Sequence, residues 1–189
     1  MNGTRQARNT LAEAIAAIDD ATGPATTGLP EPVFHLVSRL TPMVNVDLLI
    51  HDDAGRCLLT WRDDAFYGPG WHVPGGIIRF RERVADRIAA VSAGELGASV
   101  ESSQSPIAVH EIFHPERDVR GHFVSLLYAC RLASAPDASR QFRPDTPRHG
   151  DWAWHAGAPD ALIEQHRIYI PQINGGGHPA RRPPGSRPT

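Results

Sequence analysis

The chain has 189 residues, of which 41% are hydrophobic and 21% charged, with a formal net charge of −2. That composition supports the core of one soluble domain. It excludes the cationic footprint of nucleic-acid or anionic-lipid binding, and no apolar run approaches the length of a membrane span. Cys57 and Cys130 lack metal or redox spacing and sit in apolar runs, so they read as buried free thiols. Glu13 interrupts the only apolar run near the N-terminus, which leaves no signal core and implies a cytoplasmic protein.

Residues 1–30 are alanine-rich, with a short helix expected near 10–20 and then a Gly/Pro/Thr break. They read as an appendage, with partial disorder left open. The main domain is expected over 31–173, led by a short helix from Pro32 to Leu40. Met43 to Ile50 reads as a strand, apolar except for Asn45 and Asp47. The turn His51-Asp52-Asp53-Ala54-Gly55 joins it to a second strand, Cys57 to Trp61, as a hairpin. After a loop over 62–70, Trp71-His72-Val73 reads as a short strand and Pro74-Gly75-Gly76 as a sharp turn. Apolar residues at Val84, Ile88 and Val91 then mark a helix, with Gly97 as its C-terminal stop. Pro106–Phe113 and His122–Leu132 are further strands, and Trp152–His155 a short one beyond a long loop over 133–150. Pro159-Asp160 opens a helix through about Gln165, followed by apolar Ile168, Tyr169 and Ile173. Residues 174–189 are Gly, Pro and Arg-rich and read as a disordered tail. Strands flanked by two helices imply a layered α/β/α domain.

A strand, a glycine turn and a helix carrying carboxylates suit the holding of a metal against a phosphate. Magnesium takes oxygen ligands and needs only one or two protein carboxylates beside substrate phosphates, a minimum that Glu95 meets. Otherwise Glu95 is a solvated acid in the last helical turn, where the helix dipole disfavours it. Asp47, in an apolar strand, needs a partner or a function.

Gly76, Glu82, Glu95 and Gly97 fall on the spacing of the Nudix box, which this stretch resembles. Ala90, Val91, Ser92 and Gly94 replace the arginine, first acid, aliphatic and second acid of its latter half. The ending Gly94-Glu95-Leu96-Gly97 is similar to the divergent box of the GDP-mannose mannosyl hydrolase branch, which keeps only the last glutamate. Thr41 to Asp47, Trp71 to Gly76, His122-Phe123-Val124, and His149 ahead of Trp152 and Trp154 follow that branch in order, over roughly residues 40–170.

The resemblance implies a Nudix-type α/β/α sandwich with a mixed β-sheet between helices. It implies Mg2+, or Mn2+, held by Glu95 and the carbonyl of Gly75. Arg148 stands where the branch has a third, amide ligand; a cation cannot ligate, and its guanidinium suits a diphosphate instead. Glu82 either reaches the metal or supports the box loop, with Arg79, Arg83 or Arg87 replacing its usual arginine partner. A first-turn acid stabilising the helix is the plain alternative. His149 takes the place of the general base and Asp47 that of a catalytically important aspartate. Arg62 matches a substrate-contacting arginine. Ile77 replaces a second one, with Arg79 or Arg81 as stand-ins, and Phe123 replaces a tyrosine that aids the leaving diphosphate.

The function so implied is a Mg-dependent hydrolase of a nucleoside-diphosphate-linked small molecule, an NDP-sugar such as GDP-mannose, acting as a homodimer with no nucleic-acid or membrane partner. Attack at carbon or at phosphorus stays open. The alternative is a degenerate domain that binds such a nucleotide without hydrolysing it. An ordinary multi-glutamate pyrophosphatase is disfavoured, because Val91 stands one helical turn before Glu95 where a second carboxylate is needed.

Overall fold

The computed structural model describes residues 2–175. Residues 176–189 of the expected tail lie outside the described residues, and Asn174 ends a helix. In chain order the elements are α1 (Asn2–Thr22), α2 (Glu31–Leu40), β1 (Met43–His51), β2 (Cys57–Arg62), β3 (Gly70–His72), β4 (Gly75–Ile77), α3 (Val84–Val91), β5 (Val100–Ser102), β6 (Ala108–Phe113), β7 (His122–Leu132), β8 (Trp152–His155) and α4 (Ile170–Asn174).

The strands form one mixed sheet of eight. Its centre is β1 lying parallel to β7, in register from Met43 against Phe123 to Ile50 against Cys130. A strand covered on both faces reads as a near-continuous apolar run, which is why β1 shows little alternation. On the far side of β7, β6 and β5 pair antiparallel. On the far side of β1, β4 pairs with Asn45–Asp47 and β2 with the C-terminal end. In turn, β2 carries β3 and β8.

Period-two alternation divides β1 between the layers. Val46, Leu48 and Ile50 pack with Ile88, Val91 and Leu96 beneath α3. Leu49 packs on the opposite face with Leu59, Val73, Leu127, Tyr169 and Ile173 beneath the C-terminal segment. The expected α/β/α layering is therefore present. A smaller cluster of Met43, Ile112 and Phe123 receives Phe34 and Val37 of α2 at one end of the sheet.

Four details differ from the sequence reading. Gly75-Gly76 is not a sharp turn but the start of β4, and neither glycine has a positive φ. Glycine is required there for close approach. A Cβ on Gly75 would collide with Asp47 Oδ1, and one on Gly76 would lie 2.9 Å from Val91 Cγ2. The box helix is interrupted: α3 ends at Val91, and Ser92–Leu96 widen into a π turn, a distortion that recurs at functional positions. Gly97 does terminate it, at φ 63, donating to Ala93 O at 3.0 Å. The helix expected from Pro159 is a 3₁₀ turn at Glu164–Tyr169 followed by α4. Its expected first turn is spent elsewhere, because Trp71 N donates to Ala161 O and Ile163 N to Trp71 O, tying that segment to the edge of β3. The short strand β5 had no signal in the sequence.

Candidate active site

Four elements converge on Glu95. The π turn aims its carboxylate at β4, where the Gly75 N–H donates to Oε1 at 3.2 Å. Thr60 on β2 donates its hydroxyl to Oε2 at 3.1 Å, and His72 Nε2 on β3 lies 3.4 Å from the same oxygen. Thr60 and His72 are opposite each other in the β2–β3 ladder, so one cross-strand pair supplies both contacts. Arg140 donates to the carbonyls of Gly94 and Glu95 at 2.6 and 3.2 Å, satisfying the end of the turn. Val91, where a second acid would stand, is buried in the core under the sheet.

Asp47 lies beside Gly75, 1% exposed. Its Oδ2 accepts from Ser125 Oγ and, at 2.8 Å, from Tyr169 OH. Burial pushes the carboxyl up to about 6, against the pull of those two hydrogen bonds; His72 lowers it further and Glu95 raises it. Burial and the adjacent Asp47 raise the Tyr169 phenol. His166 is buried, which drives its imidazole well below its ordinary value, with His72 and Arg62 adding to the effect. It stays neutral and accepts Val73 N–H at Nδ1, at 2.9 Å.

Two pockets open on either side of this junction. Gly75 lines the first, with Asn45, Arg62, Tyr67, Arg120 and Phe123. Glu95 lines the second, with Ser139, Arg140, Arg148, His149 and Asp151. The Gly75–Glu95 hydrogen bond therefore spans the two. Arg148 donates to Ser139 O at 2.9 Å and lies 3.4 Å from Asp151 Oδ1, leaving most of its side chain exposed. His149 Nδ1 accepts from Asp63 N–H at 3.2 Å. In the neutral ring that contact puts the proton on Nε2, so the imidazole presents a donor, and it acts as a base only on giving up Asp63.

The structure thus brings Arg62, Gly75, Glu95, Phe123, Arg148 and His149 to the two pockets, with Asp47 buried behind Gly75. It does not bring Glu82 or Arg79 there. The Arg79 guanidinium lies against Gly28, where an added Cβ would come within 3.8 Å of Cζ. Glu82 accepts two hydrogen bonds from Arg87, each at 2.8 Å, and a third from Arg79 N–H at 2.8 Å. It staples the box loop to α3. Burial works to raise the Glu82 carboxyl, but these donors hold it below its usual range.

Glu82→Gln is expected to destabilise the fold by about 2 kcal/mol, because it leaves the buried Arg87 without its counter-ion. A lowered carboxyl contributes above its ordinary pKa and ceases to contribute as pH falls through the lowered value. Urea unfolding of both proteins at pH 7 and pH 3 checks this: the gap should be present at pH 7 and shrink at pH 3.

The sequence reading missed Thr60, His72, Ser125, Tyr169 and Arg140. Thr60 and Ser125 carry a faint signal, as hydroxyls inside apolar strands. His72 was hidden inside a run read as apolar.

Among the described residues no three His, Cys, Asp or Glu side chains gather to hold a metal. A single carboxylate, Glu95, set beside the backbone of Gly75, fits a magnesium ion that is completed by substrate and water.

No protein-family model matches the chain. It is 32% identical over 111 residues to the low-salt glycan biosynthesis protein Agl8 of Haloferax volcanii, an alignment covering 57% of this chain and 70% of that protein. The MutT Nudix hydrolase of Burkholderia pseudomallei superposes with a TM-score of 0.56 at 26% identity, covering 70% of this chain and 98% of that one. An ADP-ribose pyrophosphatase of Streptococcus suis shares the fold alone, with a TM-score of 0.51 at 18% identity over 70% of this chain and 87% of that one. The chain belongs to the Nudix superfamily and carries the Nudix hydrolase fold. No described helix is long and apolar enough to cross a membrane.

Proposed function

We propose that the protein is a magnesium-dependent hydrolase of a nucleoside-diphosphate-linked substrate, an NDP-sugar such as GDP-mannose. The observation that carries this reading is the carboxylate of Glu95, hydrogen-bonded to Gly75 between two pockets of different character. A two-part substrate lying across that junction would leave its diphosphate beside Glu95. Glu95 and the Gly75 carbonyl would hold the ion, which supplies charge neutralisation for the diphosphate leaving group. Arg62 and Phe123 would receive one half of the substrate. On the other side Arg148 would contact phosphate oxygens, and His149, released from Asp63, would take the proton from water.

The burial of Val91 supports a one-carboxylate scheme, and with it attack at the sugar carbon, over the multi-carboxylate chemistry of a pyrophosphatase. Kinship with a protein named for glycan biosynthesis is compatible with a sugar-nucleotide substrate.

The test is product analysis in oxygen-18 water with Mg2+, using GDP-mannose, GDP-glucose, UDP-glucose and ADP-ribose. Label in a released sugar is the expected result. Label in a nucleoside monophosphate or sugar phosphate would overturn the carbon-attack scheme. Nucleotide binding with no product from any of the four would replace the hydrolase by the degenerate binding domain.

A further inference from the structure

A cationic cluster borders the first pocket, and the proposed function uses only one of its members, Arg62. Three guanidinium groups surround the ring of Tyr67: Arg62 with its Cζ 4.5 Å from the centroid, Arg117 at 4.6 Å and Arg120 at 5.6 Å. Arg62 is paired with Asp64, at 2.6 Å. Among the described residues, neither Arg117 nor Arg120 has a carboxylate within ion-pair distance. The Arg117 guanidinium donates to the carbonyl of Phe66, at 3.3 Å. Arg120 Nε is buried and has no hydrogen-bond partner at all. Two uncompensated positive charges stacked on one ring, in a chain of net charge −2, make a local site for an anion.

The fold works to hold Arg120 in this place. Its backbone is left-handed, at φ 56, a conformation disfavoured for a residue with a Cβ. Its N–H donates at 3.1 Å to the hydroxyl of Ser38, buried on α2. Its guanidinium also lies 5.3 Å from the ring of Phe34 on α2 and 4.8 Å from that of Phe66. Arg120 lines the same pocket as Arg62 and Gly75.

We propose that Arg120 is a substrate ligand: Arg62 and Arg120, on the Tyr67 platform, form a clamp for phosphoryl oxygens, and Ser38 of α2 is its positioning residue. A guanidinium fork matches such oxygens geometrically, and partial burial keeps the attraction from being fully screened. The clamp rests on the diphosphate-substrate reading for its physiological ligand, but not on turnover.

The test is calorimetric titration of the full chain with inorganic pyrophosphate and, separately, with GDP, both without metal and at low salt. Arg120→Gln should weaken binding roughly tenfold or more, and Arg120→Lys by less, because it keeps the charge and loses the fork. Ser38→Ala should weaken it about threefold with the charge untouched. Arg131→Gln, at the far end of β7, should bind as wild type does. Dependence on Arg120 in the GDP arm alone would mean that the clamp takes the diphosphate only when a nucleoside carries it. Should Arg120→Gln fail to fold, Arg120→Lys reads the same contrast. Unchanged affinity for both ligands in the Arg120 variants, or no binding of either ligand by wild type, would overturn the clamp. Arg120-dependent binding without turnover of any NDP-sugar would instead overturn the hydrolase reading and leave the clamp standing.

Discussion

Glu95→Gln is expected to lower kcat/KM for every accepted substrate by about 10²–10³-fold and to raise the magnesium concentration needed for half-maximal rate. The substitution keeps the side-chain volume and can keep the hydrogen bond from Gly75 N–H, so the geometry of the junction survives. What it removes is the negative charge that the π turn delivers to the second pocket. Stability should change by less than about 1 kcal/mol, because the side chain is partly exposed and its contacts with Thr60 and His72 are polar ones that an amide can share. A magnesium titration at several substrate concentrations separates the two readings of this residue. If turnover and metal dependence are both unchanged, Glu95 is a solvated acid at the end of a helix and the metal site is elsewhere.

The second large effect concerns Asp47. Its folded-state carboxyl lies at about 6 against an ordinary 3.8, chiefly because it is buried. Between those values the folded protein binds a proton that the unfolded chain has released, so stability declines as pH rises through that window. A rise of this size corresponds to about 3 kcal/mol.

Asp47→Asn removes the titration while still accepting from Ser125 and Tyr169 through its amide oxygen. The variant should match wild type near pH 4 and exceed it by up to about 3 kcal/mol above pH 6. Its turnover should fall, because the charge coupled to His72 and Glu95 is gone. Urea midpoints for both proteins from pH 4 to 7.5 give the difference directly, and differencing cancels the other carboxylates. A gap that stays constant over that range would mean that Asp47 does not titrate there.

A charge kept in the interior at such a cost is seldom only structural. Asp47 touches Gly75 and is coupled to Glu95, so its protonation state bears on the junction where the substrate is proposed to lie.

Much of this molecule could be read in advance. Apolar runs at Met43–Ile50, Cys57–Trp61, His122–Leu132 and Trp152–His155 became β1, β2, β7 and β8 nearly residue for residue. Such runs are local: the period of the side chains decides what a segment can bury, wherever its partner lies. The spacing of Gly76, Glu82, Glu95 and Gly97 was legible for the same reason, as was the anomaly of an acid inside β1.

What the sequence by itself could not decide was who meets whom. Asp47 is answered by Ser125, 78 positions away, and Tyr169, 122 positions away. Those meetings depend on the parallel register of β1 against β7 and on the folding of the C-terminal segment over that face. Glu82 had three arginines in reach, and the start of α3 chose Arg87. Thr60, His72 and Glu95 converge only because β2 pairs with β3 and a π turn delivers the glutamate to them. Arg62, Tyr67 and Arg120 come together through two loops and the packing of α2. Hydrophobic pattern determines which face of an element is buried, while strand register and loop closure determine which side chains share a site. The first is written in neighbouring residues, and the second exists only in the folded chain.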